Sequence, residues 1–116
     1  MKKQIVIRLQ IEGLHCWPEA ADYFPKVRFL ADPHRHTFFI EIHKVVTHND
    51  RDIEIILFKR EVEDYIKQRF YDESMDVIDF GRRSCEDIAE LLLVEFDAGM
   101  VQVLEDNENG AKITSE

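Results

Sequence analysis

Two stretches of strict alternation, one ending and the other beginning in histidine, constrain the fold more than any other feature of the chain. From Ile5 the odd positions carry Ile5, Ile7, Leu9, Ile11 and then His15, while Arg8, Gln10 and Glu12 take the other side. From His34 the even positions carry His34, His36, Phe38, Ile40 and Ile42. A period of two belongs to a half-buried strand. If the two strands run antiparallel, the end of the first lies beside the start of the second. His15 then meets His34 and His36, all three projecting to the apolar face. Three imidazoles converging there, with no nearby carboxylate to account for them, suit a zinc site with an open fourth position. Hydrogen-bonded core histidines fit the same spacing, so the pattern leaves both readings open. His43 and His48 fall on the opposite face and in a turn, and are expected at the surface.

The stretch from Cys16 to Pro33, with Pro18, Pro25 and Pro33, reads as irregular: a functional connection or a surface loop. Thr47-His48-Asn49-Asp50 reads as a turn, and Asp52–Phe58 as a weakly alternating strand returning against the second. The period then changes. Phe58, Val62, Tyr65, Ile66 and Phe70 form a helical stripe, with Lys59, Arg60, Glu63, Asp64 and Lys67 elsewhere. Ser84 is a fitting N-cap for a second helix, with Glu86 and Asp87 in its first turn and Ile88, Leu91, Leu92 and Phe96 as its core stripe. Gly99 is expected to mark its end. Val101 and Val103 open a last strand face, and Asn107-Glu108-Asn109-Gly110 reads as a hairpin turn before Ala111–Thr114. The order, strands then two helices then strands, predicts an α+β domain with an antiparallel four-stranded sheet and both helices on one face.

With 116 residues the chain fits one domain spanning 1–116. Its net charge of -9 makes nucleic acid and anionic membranes poor partners. Alternation replaces any continuous apolar segment after Lys2 and Lys3, which argues against a leader peptide or a membrane span. Two cysteines, Cys16 and Cys85, make no disulfide framework, and a cytoplasmic location is expected.

Glu105 follows Val101 and Val103 on the same strand face, so a carboxylate ends an apolar stripe. Such a carboxylate needs donors, from the protein or from a ligand with adjacent ring N–H and exocyclic amine; alternatively the strand ends there and Glu105 meets water. Asp79-Phe80-Gly81 matches a kinase tripeptide, but no glycine-rich loop accompanies it and the chain is too short for that fold. Cys85 sits where a helix N-terminus can lower a thiol pKa, though a small buried residue fits the position equally.

Taken in order, these features resemble the 6-pyruvoyl-tetrahydropterin synthase and 6-carboxytetrahydropterin synthase family from about Ile5 to Ala111. Its zinc-binding histidine and His-Gly-His look like His15 and His34-Arg35-His36, with Arg35 where glycine is usual. Its Pro-Thr-x-Glu-Asn helix start is similar to Arg83-Ser84-Cys85-Glu86-Asp87, and its pterin-anchoring glutamate to Glu105. The resemblance implies a tunnelling fold of ββααββ order. It also implies zinc on the three histidines, and a pterin or purine-like ligand held by Glu105 with help from Ser84 and Cys85. A homo-oligomeric barrel, a trimer or a pair of trimers, follows from the same likeness.

The departures fall on the chemistry. Leu30 stands where the family's catalytic cysteine is usual, and Leu57 where an aspartate precedes the phenylalanine. In Met75-Asp76-Val77 the aspartate survives but Val77 replaces the histidine. The family's zinc polarises substrate hydroxyls while a cysteine and an Asp–His pair move protons. Loss of these carriers implies a binding protein without the usual turnover. The alternative is a divergent lyase of pterin or 7-deazapurine biosynthesis with a substitute carrier among Asp32, Cys16 and Asp76. A third reading makes the domain an assembly subunit whose histidines only pack.

Overall fold

A computed structural model describes residues 1–116. At its centre two long strands, β1 (Lys3–His15) and β2 (His34–Val46), pair antiparallel along their whole length, from Lys3 opposite Val46 to His15 opposite His34. The connection between them is built of turns: helix α1 (Ala20–Tyr23) and a 3-10 helix (Pro25–Ala31), closed at the base by the Trp17 N–H donating to the Leu30 carbonyl at 2.7 Å. The chain continues through α2 (Ile55–Phe70), β3 (Tyr71–Asp72), β4 (Val77–Asp79), α3 (Cys85–Glu95), β5 (Met100–Glu105) and β6 (Asn109–Thr114).

The result is a mixed α+β domain with an open sheet in the order β3-β4-β1-β2-β5-β6. The expected four strands are therefore six, because β3 and β4 add an edge that is too short to show alternation in sequence. β4 runs parallel to β1 at Gly13 and Leu14, while the other pairs are antiparallel.

Both helices cover one face. Ile7 and Leu9 of β1, Phe38, Ile40 and Ile42 of β2, and Val101 and Val103 of β5 share that face by register. They join one core with Phe58, Val62, Ile66 and Phe70 of α2 and Ile88, Ala89 and Leu92 of α3. The opposite face carries charge, with Arg8 paired to Glu41 at 2.7 Å and His43 to the same carboxylate at 2.8 Å.

Three local expectations change. Asp52–Phe58 is not a strand: α2 begins at Ile55 because the Glu54 carboxylate accepts from the Ile56 and Leu57 N–H groups, each at 3.1 Å. Ile55, Ile56 and Leu57 overhang the core as an exposed first turn. Gly99 does not end α3; the chain reverses earlier, where Asp97 takes a φ of 48°. The β5–β6 turn is made by Asp106 and Asn107, with φ of 55° and 60°. Gly110 serves close approach instead, since a Cβ there would lie 1.8 Å from the Val103 carbonyl oxygen.

Burial separates the two ends of α2. Ile66→Ala, at a fully buried position, is expected to cost about 2–5 kcal/mol. Ile56→Ala, at the overhanging first turn, is expected to change stability by no more than about 0.5 kcal/mol. Urea unfolding of the two variants measures the contrast.

Candidate metal centre

The β1–β2 register delivers the histidines. His15 is directly opposite His34, and Gly13 is opposite His36, so all three rings lie on the core face at the open end of the sheet. Their centroids are 4.5 to 5.4 Å apart. β5 adds Glu105, which pairs with Phe38 on the same face. The carboxylate that the sequence did not place near the histidines is therefore among them. One ligating atom from each of His15, His34, His36 and Glu105 lies within 4.8 Å of all the others.

Each imidazole is fixed through its Nδ1. That of His15 donates to the Arg83 carbonyl at 2.9 Å, that of His34 to the Asp32 carbonyl at 2.9 Å, and that of His36 to the Asp106 carboxylate at 2.8 Å. An Nδ1–H held by an oxygen leaves the Nε2 lone pair free, the arrangement typical of metal-bound histidines and their outer shell. The buried Nε2 atoms of His15 and His36 have no hydrogen-bond partner. Glu105 Oε2 lies 2.8 Å from His15 Nε2 without the alignment of a hydrogen bond, and Oε1 lies 3.6 Å from His36 Nε2. Unsatisfied buried nitrogens are costly, and three convergent imidazoles with a carboxylate are a borderline-hard donor set suited to a divalent transition metal.

The backing groups come from the helices and turns. Ser84 and Asp87 form a reciprocal capping box at 3.1 Å in each direction. This starts α3 where expected and fixes the Arg83 carbonyl against His15. Asp106 Oδ1 also accepts the Thr37 N–H at 3.0 Å, which locks the turn onto β2.

Beside the imidazoles opens a cleft of about 520 Å³. Trp17, Leu30, Ser84, Cys85 and Glu105 contribute to its wall. Leu30 thus faces the cleft, as does Cys16. Asp76 does not: its carboxylate accepts from the Tyr71 hydroxyl at 2.6 Å, beside a different depression that it shares with Arg35 and Val77. Asp32 contributes only its carbonyl, to His34. Burial, with the neighbouring Glu105, pushes the Cys85 thiol up to about 12, so the helix start does not make it a thiolate. Asp106 is the contributor that sequence reasoning missed; its only sequence signal was its place next to Glu105.

Burial works against an imidazolium at His15, but the Glu105 carboxylate and the Arg83 carbonyl outweigh it and raise the pKa above 6.5. His15 in turn, outweighing burial, holds the Glu105 carboxyl below 4.5, with His36 adding to the effect. The raised imidazole stabilises the metal-free fold fully below 6.5 and loses that contribution as pH rises through its folded pKa. The lowered carboxyl contributes above 4.5 and loses its share as pH falls through its folded pKa. Metal-free protein therefore draws most on this pair between 4.5 and 6.5.

Metal needs neutral imidazoles, so the thermal stabilisation by added metal over chelated protein is expected to widen from about pH 5.5 to about pH 7.5. Asp106→Asn should weaken metal affinity by about 10–100-fold, as loss of an outer-shell carboxylate does elsewhere, with the far-ultraviolet circular dichroism unchanged. Competition with a chromophoric chelator measures it. A scan against protein-family models matches none, and a search of curated proteins finds no significant match.

Proposed function

We propose that this domain holds a divalent metal, zinc by its donor set, on His15, His34 and His36. Beside it, we propose, the cleft binds a pterin or purine-like ring without turning it over. The observation that carries the metal reading is the anchoring of all three Nδ1 atoms to oxygen acceptors, which leaves the Nε2 atoms converging. The ring reading rests on the cleft itself. Trp17 and Leu30 offer apolar wall, and Ser84 offers a polar group, to a flat heterocycle.

Absence of turnover is supported by the side chains around the metal position. Leu30 cannot carry a proton, Cys85 stays a thiol, and Asp76 is engaged with Tyr71 beside another depression. The resemblance to 6-pyruvoyl-tetrahydropterin and 6-carboxytetrahydropterin synthases is consistent with this reading and gives it a ligand class. A lyase with a substitute carrier would have to draw on Cys16, the remaining candidate in the cleft wall.

We also propose a homo-oligomer, a trimer or a pair of trimers. The β1 edge from Lys3 to Glu12 has no strand beyond it, because β4 pairs only with Gly13 and Leu14. Such an edge, with Val6 and Val45 exposed on the uncovered face, is normally protected by another chain.

The decisive measurement is metal content after purification without chelator, for wild type and for His34→Ala combined with His36→Ala. About one zinc per chain in wild type, lost in the double variant, is expected for a three-histidine site. Metal-free wild type that also fails to take up added zinc overturns the proposal. Light scattering on the same samples is expected to give three or six times the chain mass. A monomer would overturn the oligomer.

A further inference from the structure

Glu105 occupies the position where an open metal site would keep its exchangeable ligand. We infer that Glu105 is the metal's fourth ligand and that the site is coordinatively closed, so the ion fastens β1, β2 and β5 together and offers no position to a substrate. The inference rests on the metal reading above and goes beyond it in assigning this carboxylate.

The geometry of the donor atoms supports closure. A four-coordinate zinc with ligand distances of about 2.0–2.1 Å has its ligand atoms roughly 3.3 Å apart. The Glu105 carboxylate reaches two of the imidazoles on that scale, one oxygen, Oε2, at 2.8 Å from His15 Nε2 and the other, Oε1, at 3.6 Å from His36 Nε2. One ligating atom from each of the four residues lies within 4.8 Å of the rest. The His15 and Glu105 atoms face one another at 2.8 Å, so both point to the same place in the cluster.

The backbone leaves Glu105 little choice of direction. It lies opposite Phe38 on the core face, and the next residue, Asp106, is clamped by both the Thr37 N–H and the His36 ring. Asp106 thereby serves as a positioning residue that holds His36 and the β5 terminus in one frame.

Closure has a chemical consequence. A metal that stays four-coordinate on three imidazoles and a carboxylate has no vacant position with which to polarise a hydroxyl or lower the pKa of a water. It also removes Glu105 from the role of ring anchor, leaving ring recognition to Ser84 and the backbone around it. Both consequences agree with binding in the absence of turnover.

Cobalt(II) loaded into the wild-type protein in place of zinc reports coordination directly. Wild type is expected to show the intense visible bands of four-coordinate cobalt, unchanged by excess azide. Glu105→Ala is expected to bind cobalt at least about tenfold more weakly, as loss of a ligand requires, and its bands should shift when azide fills the vacated position. Glu105→Gln, which keeps side-chain volume, provides the same comparison if the alanine variant is unstable. Azide-sensitive bands in wild type, or cobalt affinity unchanged in both variants, would overturn closure while leaving the three-histidine site intact. Failure of wild type to bind cobalt at all would overturn the metal reading together with this one.

Discussion

The pairing of β1 with β2 is the constraint on which the rest of the molecule depends. Side chains alternate with a period of two, so a slip of β1 by one residue against β2 would send Ile7 and Leu9 to the solvent face. The same slip would separate His15 from His34. Core and candidate site are thus specified by one register: the apolar residues that drive burial also fix where the imidazoles meet. Phe38, fully buried and 5.2 Å by ring centroid from His15, is the junction between the two.

Two of the three outer supports of the site come from elements distant in sequence, while the third, the Asp32 carbonyl, is local to His34. Helix α3 is tied to the sheet at both ends. Its capping box presents the Arg83 carbonyl to His15, and at the other end Lys44 of β2 donates to the carbonyls of Phe96 and Asp97. A cation at a helix C-terminus satisfies carbonyls that have no partner within the helix. The β5–β6 turn supplies the second support by placing Asp106, in a left-handed conformation, between Thr37 and His36. Three imidazoles are held by groups from three separate segments, a preorganisation of the kind that a metal site requires.

Cys85, Leu30 and Asp76 share a chemical direction. Cys85 is buried beside a carboxylate and stays protonated, Leu30 contributes an apolar wall, and Asp76 is held by Tyr71. None of the three offers a free proton carrier beside the imidazoles, whereas each imidazole is held in place. Charge balance follows the same line: Glu105 inside the cluster would offset part of the charge of a divalent ion held in this partly buried place.

By itself the sequence determined the two long strands, with His15, His34 and His36 on their apolar faces, and the α2 and α3 stripes. All of these are local patterns of period two or 3.6. It did not determine that Asp52–Phe58 starts a helix, because capping by Glu54 competes with a short alternation that looks like strand. Nor did it reveal β3 and β4, whose two and three residues carry no period at all. Only the tertiary structure decided that Glu105 belongs with the histidines and Asp106 behind them. Their proximity depends on β5 pairing with β2 across more than sixty residues of intervening chain, and on a turn that bends Asp106 back onto Thr37. Long-range register and turn geometry are properties of the folded chain, and no local pattern encodes them.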